Sequence, residues 1–231
     1  MSDQAEPEPE VAGSPSSRTQ VKRLPELGAY DSATIDAILD AGLVAHLGFT
    51  HEEQPFVVPT LAARLGDELY VHGSAASRTL REVSGEIAIC VTVTLLDGLV
   101  LARSIFEHSI NYRSVMVFGR ARLVTDADEK LAALHAFSEH ILPGRWNDVR
   151  EPNDQELKAT SILALPLTEA SAKISAGPPD DGESEDAKLP VWAGEIPLAV
   201  AVGEPVKAPE VSDDIPMPDY VRDYRRPGLT E

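Results

Sequence analysis

At 231 residues the chain is long enough to bury a core without staples, and its single cysteine, Cys90, excludes an internal disulfide framework. Its 38 acidic residues against 20 basic ones give a formal charge of −18, which argues against duplex nucleic acid as a partner, because that binding relies on Lys and Arg neutralising phosphates. No apolar run approaches bilayer length and the N-terminus is acidic, so the expectation is no membrane segment and a cytoplasmic location.

In chain order, residues 1–21 are expected as a disordered tail, 22–177 as the folded domain, 178–188 as an acidic solvated linker and 189–231 as a C-terminal arm partly docked on the barrel or on a dimer partner. The first helix should follow Asp31 or Ser32 as cap, bury Ile35, Ile38 and Leu39, and stop at Gly42. Short β-rich runs then cover 44–50, 56–64 and 68–72, the last two separated by the turn signal Gly66-Asp67.

Next, the strand pattern ending in Tyr70-Val71-His72 breaks at Gly73 and restarts as a helix carrying Ser74, Ser77 and Arg78. This is a phosphate site in outline: helix amides attract an anion, serine hydroxyls donate to it, and a guanidinium fork fits phosphate oxygens. The alternative is a surface helix capped by Ser74, with Arg78 solvated.

Two longer strands are expected over 86–96 and 112–124, the first carrying Cys90 as a small buried hydrophobe. A second helix spans 126–141: Asp126 with Glu129 suggests a capping box, Leu131, Leu134, Phe137 and Ile141 form a stripe, and Pro143-Gly144 closes it. The last strand spans 160–175, bent at Pro166. Six short strands with no βαβ alternation predict a mainly β fold, a six-stranded antiparallel Greek-key-like barrel with helices packed outside.

The order of these elements, with His72-Gly73-Ser74 followed by Ser77-Arg78, then 96–104, then His108-Ser109 and Asn111-Tyr112-Arg113-Ser114-Val115, resembles the flavin-nucleotide-binding branch of the pyridoxamine 5′-phosphate oxidase-like split barrels, related to nitroimidazole reductase-type proteins. The resemblance covers 22–177 and continues into Val191-Trp192-Ala193-Gly194. It implies an FMN-binding split β-barrel and a homodimer with cofactor clefts at the interface, each touched by both chains.

Carried over by residue, Ser74, Ser77 and Arg78 match the segment that grips the FMN phosphate, and Val58, Pro59 and Thr60 the strand whose backbone lies along the flavin ring. Asn111, Tyr112, Arg113 and Ser114 match the strand that reaches towards the partner's flavin. For Thr60 and for 111–114, an ordinary β-former and a polar strand entry are the alternatives. Trp192 either covers the flavin cleft, as C-terminal aromatics do in similar proteins, or packs on a barrel face.

Of the 6 histidines, His72 lies beside the phosphate segment and is expected to touch flavin or substrate. His135 and His140 fall on different helix faces without an HExxH pattern, so no metal site is expected. A hydrolase fails for lack of a GxSxG elbow around Ser74 or Ser104, and a Rossmann domain for lack of GxGxxG after a strand.

The resulting expectation is an FMN-dependent oxidoreductase passing hydride or electrons to a small organic acceptor, with a nicotinamide donor as a transient partner. The alternatives are a flavin carrier or sensor without turnover, and a deazaflavin- or haem-binding relative, for which His72 or His108 would be the axial ligand. Pyridoxamine 5′-phosphate oxidase activity itself is not expected: Arg222, Arg225 and Arg226 lie among Asp and Pro rather than in a substrate motif.

Overall fold

The computed structural model describes residues 16–74, 88–226 and 228. They form a split β-barrel made of two antiparallel sheets. The larger is ordered β1-β10-β7-β6-β2-β3, comprising β1 (Gly28–Ala29), β10 (Ala170–Ser175), β7 (Ser109–Arg120), β6 (Ala88–Leu101), β2 (Ala45–His51) and β3 (Gln54–Thr60). The smaller is ordered β4-β5-β9-β8, from β4 (Ala62–Leu65), β5 (Glu68–Ser74), β9 (Thr160–Pro166) and β8 (Arg122–Leu123).

Among the described residues, three connections pass directly from one sheet to the other. β3 passes into β4 at Leu61, β7 into β8 at buried Ala121, and β9 into β10 through the short turn Leu167–Glu169. The runs expected as single strands over 56–64, 112–124 and 160–175 are therefore each two strands, one in either sheet. Bending at these corners lets one strand serve two sheets whose inner faces share a core. Ala45, Leu47, Val91, Val93, Val115, Val117, Leu163 and Leu165 fill it.

Helix α1 (Ser32–Ala41) has the cap and buried face its sequence predicts: Asp31 accepts from the Thr34 amide, and Ile35, Ile38 and Leu39 are buried. It ends at Gly42, where any Cβ would collide with Val93 Cγ1, so glycine is required there by close packing rather than by a left-handed backbone. Arg64 on β4 clasps α1 through Asp40, with Nε and Nη2 donating at 3.1 and 2.6 Å.

Helix α2 (Ala127–Ile141) packs on the smaller sheet over Tyr70, Val124 and Ile162. The expected apolar stripe is only partly used. Ala133 and Phe137 are buried, whereas Ile141, in the last turn, is exposed. Asp126 accepts from the Glu129 amide, but the Glu129 carboxylate goes to Arg122 and Tyr70 instead of closing a capping box. Tyr70 Oη donates to both Glu68 and Glu129, and burial together with these two carboxylates pushes its pKa well up. Helix α3 (Asp154–Ala159), which the sequence reading missed, carries a capping box between Asn153 and Glu156.

The chain is already placed from Ser16, ahead of the expected boundary at Lys22: Thr19 is buried, and the Val21 amide donates to Tyr30 Oη at 2.9 Å. Beyond the barrel, β11 (Gly194–Pro197) pairs with the outer half of β6 at 98–101, the edge that β2 serves over 89–93. One-turn helix α4 (Asp219–Arg222) follows. The linker over 178–188 does not float: Asp181 is 1% exposed, because its carboxylate accepts from both the backbone amide and the guanidinium of Arg103, at 2.7 and 2.6 Å.

Candidate functional site

The outer face of the large sheet carries the first group of expected site residues. Pro59 lies opposite His46, which pairs on to Thr92 and Met116; one rung away, Val57, Gly48, Cys90 and Phe118 are in register. Strand alternation puts Val115 and Val117 in the core and leaves Tyr112, Ser114, Met116 and Phe118 on this outer face. Val57, Leu96 and Met116 are exposed there. A sheet apolar on both faces is built to be covered on both faces.

β3 is the edge of that sheet, and its prolines define what the edge offers. Pro55 and Pro59 have no amide, so their rungs with Thr50 and His46 are the non-hydrogen-bonded kind, with the N–H side turned outward. Among 55–59 the amide left on the free edge is that of Val57. Val58 instead packs against the core, and Thr60 Oγ1 donates to the Leu61 carbonyl at 3.3 Å.

His72 sits elsewhere, on the small sheet under α2. Its ring meets Phe137 edge-on at 4.4 Å between centroids, and its nitrogens have no hydrogen-bond partner among the described residues. Burial pushes its pKa below the ordinary value, so the imidazole is neutral at pH 7. A neutral, half-buried imidazole with free nitrogens is suited to bind a metal centre. Ser74 ends β5, while Ser77 and Arg78 lie outside the described residues.

Residues 111–114 are engaged by their own chain. Buried Asn111 donates through Nδ2 to the Gly177 carbonyl at 3.1 Å and to Glu195 Oε2 at 2.6 Å. Arg113 makes a two-pronged pair with Asp97 at 2.9 and 2.7 Å, and its Nη1 donates to the Gly228 carbonyl. Ser114 donates weakly to the Lys173 carbonyl, and among the described residues Tyr112 is the member of the four whose side chain makes no hydrogen bond. Trp192 is exposed, its ring lying over Gly194 at the start of β11.

The structure thus brings Pro59, Tyr112 and Ser114 onto one sheet face, while His72 and Ser74 belong to the other sheet. His46, Met116 and Leu96 on that face were missed by the sequence reading, although apolar residues at both parities of 112–118 are a signal for it. His108 Nε2 lies 3.1 Å from the Ala102 carbonyl and donates to it, leaving Nδ1 as its open nitrogen. Among the described residues no three of His, Cys, Asp and Glu gather as a metal-holding group, and no helix is long and apolar enough to cross a membrane.

A family model described as Pyridoxamine 5′-phosphate oxidase matches residues 31–174. Of solved structures, the flavocytochrome Anf3 from Azotobacter vinelandii is 43% identical, with a TM-score of 0.86 over 92% of this chain and 99% of its own. A FAD and heme binding protein from Mycobacterium smegmatis is 35% identical, with a TM-score of 0.83 over 88% of this chain and 100% of its own. A Bacteroides thetaiotaomicron protein named for 5-nitroimidazole antibiotic resistance shares the fold at 22% identity, covering 64% of this chain and 86% of its own with a TM-score of 0.53. No curated protein sequence matches. The matched span, and the near-complete overlap with two relatives above 30% identity, show that this chain belongs to the pyridoxamine 5′-phosphate oxidase-like family of flavin-binding split barrels.

Proposed function

We propose that this chain is a cytoplasmic redox protein that binds a flavin nucleotide and a haem, works as a homodimer, and passes electrons to a small acceptor. The observation that carries the reading is its 43% identity, over 92% of its length, to a flavocytochrome, supported by the mycobacterial FAD and heme binding relative. The second relative favours FAD over the FMN that the motif resemblance implies.

The residues present fit a haem ligand. His72 is neutral and unclaimed by hydrogen bonds among the described residues, and the Phe137 ring beside it supplies an apolar wall. His108 fits less well, since the Ala102 carbonyl holds its Nε2. Bound haem would supply one-electron chemistry, and flavin the step between one and two electrons. The chain's own part is to hold His72 in one orientation, offer the Val57 amide along the free edge of β3, and grip the flavin phosphate through Ser74, Ser77 and Arg78. A second copy would cover the apolar outer face that Val57, Leu96 and Met116 leave exposed.

The test is an absorption spectrum and a mass measurement of what the purified protein releases, with and without His72→Ala. Flavin plus haem in the wild type, and flavin alone in the variant, is the expected result. A wild type carrying flavin alone would overturn the haem half. Arg78→Ala should weaken a phosphorylated flavin far more than riboflavin, and equal weakening would remove Arg78 from the phosphate site.

A further inference from the structure

We propose that the open cleft between the end of β7 and the corner joining β9 to β10 binds the adenosine phosphate half of FAD, with Arg120 and Phe118 selecting the dinucleotide over FMN, an inference that rests on the flavin reading above.

The cleft measures about 450 Å³, within the ~300–1,000 Å³ of small-molecule sites. Its walls are of two kinds. Phe118 and Pro166 offer apolar surface, and among the described residues no other ring stacks on Phe118. Arg120 is exposed at the end of β7 and makes no hydrogen bond or ion pair among the described residues, and the Thr168 hydroxyl likewise has no partner there. Arg18 is already engaged, its Nη2 lying 2.6 Å from Glu169 Oε2. Two guanidiniums facing one carboxylate make this cleft cationic on a chain whose formal charge is −18.

Apolar walls beside an uncommitted guanidinium fit an aromatic base that carries a phosphate. The purine lies against Phe118, and the planar fork of Arg120 takes phosphate oxygens, which a lysine or a solvated surface charge would hold less well. FMN has no second base to place in such a cleft, whereas FAD has one, so the contact separates two cofactors that share the same reactive ring.

Two observations connect the cleft to the flavin site. Arg120 is in register with Ala88, the residue into which the segment carrying Ser77 and Arg78 leads. The row Val57, Gly48, Cys90 and Phe118 then runs across the outer face of the large sheet from the free edge of β3 to the cleft, over three strand spacings or ~14 Å. The middle of that row is kept low by Gly48. A Cβ there would meet no atom nearer than 3.5 Å, so packing within the chain does not require glycine in mid-strand, and a strand glycine without a packing reason marks the close approach of a ligand.

The test is the identity of the flavin released from the purified full-length protein and from Arg120→Met, each also exchanged against an equimolar mixture of FAD and FMN. The wild type should release FAD. The variant should hold as much flavin per chain, with its ratio of FAD to FMN lowered tenfold or more, and Phe118→Leu, which keeps an apolar wall but loses the ring, should move the ratio the same way by less. An unchanged ratio in both variants, or a wild type that releases FMN, would overturn the adenosine phosphate site and leave flavin binding standing; a wild type that releases no flavin would overturn both. Titration of the flavin-loaded protein with NADPH covers the other adenine dinucleotide: an Arg120→Met variant that keeps its FAD and loses affinity for NADPH alone would assign the cleft to the electron donor and overturn the proposal.

Discussion

The chain up to Ser175 and the chain after it are held by different physics. In the barrel the residues with no exposure are apolar, among them Val115, Val117, Ala133, Ile162 and Ala172. Beyond Ser175 the buried residues, among those described, are Asp181 and Arg226, both charged. Apolar burial is shared over many neighbours and has no single point of failure. The arm is pinned instead at separate polar sites: Asp181 on Arg103, Glu195 on Asn111, Gly228 on Arg113, and Arg226 on the barrel helices. Each such pin can be removed without opening the core.

Arg226 shows how a cation can be buried with no carboxylate. Its Nε donates to the Ala41 carbonyl at 3.0 Å, Nη2 to the Asp40 carbonyl at 3.0 Å, and Nη1 to the His140 carbonyl. Asp40 and Ala41 end α1, and His140 lies in the last turn of α2. The guanidinium thus bridges the negative ends of two helix dipoles and satisfies carbonyls that have no partner within their helices.

The contrast is sharpest in two variants. Leu163→Ala, in the core shared by the sheets, should cost about 2–5 kcal/mol and lower the melting temperature of the whole molecule. Arg226→Met should cost about 1–3 kcal/mol by releasing the arm from the carbonyls of Asp40, Ala41 and His140 at the ends of α1 and α2, which water then takes over. Limited proteolysis should then cut the arm faster while calorimetry shows the barrel transition unmoved. If both variants shift the melting temperature alike, arm and barrel form one cooperative unit and the distinction fails.

What the sequence made legible follows the same divide. Helix α1 was readable to its caps because Asp31, the apolar spacing and Gly42 act within a dozen residues of one another. The capping box of α3 was written as plainly in Asn153 and Glu156, but no apolar stripe drew attention to so short a helix. Of the sheet corners, the bend at Pro166 was readable from its proline, whereas those at Leu61 and Ala121 were not, since neither residue is a breaker and the bend comes from packing two faces on one core. Asp181 looked like one acid in a solvated run and Arg226 like a tail residue. Their partners lie 78 and 185 residues away, and local composition carries no trace of them. For the site, the motif order was enough to point to the family, whereas the commitment of Asn111 and Arg113 to the arm depends on where the arm folds.

A smaller effect lies in the barrel, at the hairpin joining β2 to β3. Glu52 and Glu53 both have positive φ, 46° and 65°, with His51 paired to Gln54, the backbone of a type I′ turn. Non-glycine residues in this region cost roughly 1 kcal/mol each, and Asn-Gly relieves most of it. Glu52→Asn with Glu53→Gly should therefore stabilise the barrel by about 1 kcal/mol, raising its melting temperature while arm proteolysis stays as it was.

The smallest effect belongs to the arm and is set by pH. His140 Nε2 lies 2.7 Å from the Gly42 carbonyl and 3.1 Å from Arg226 Nη2, which cannot accept, so the neutral ring donates to Gly42. Burial pushes its pKa below the ordinary value, with Arg226 acting in the same direction and the Gly42 carbonyl and Asp40 opposing. A lowered value in the folded state means the unfolded chain takes up the proton first. The stabilisation is fully present above pH ~6.5 and is lost as the pH falls through the folded value. A proton on His140 also sets a second positive charge against the buried Arg226, so the pin should loosen before the core does. His72, lowered by burial as well, adds its own loss in the barrel, and His140→Gln separates the two. The glutamine amide can still donate to Gly42 but cannot charge, so acid-promoted cleavage of the arm should be blunted in that variant while the acid sensitivity of the barrel's melting temperature persists. Equal acid sensitivity of arm cleavage in wild type and variant would show that His140 does not control the pin.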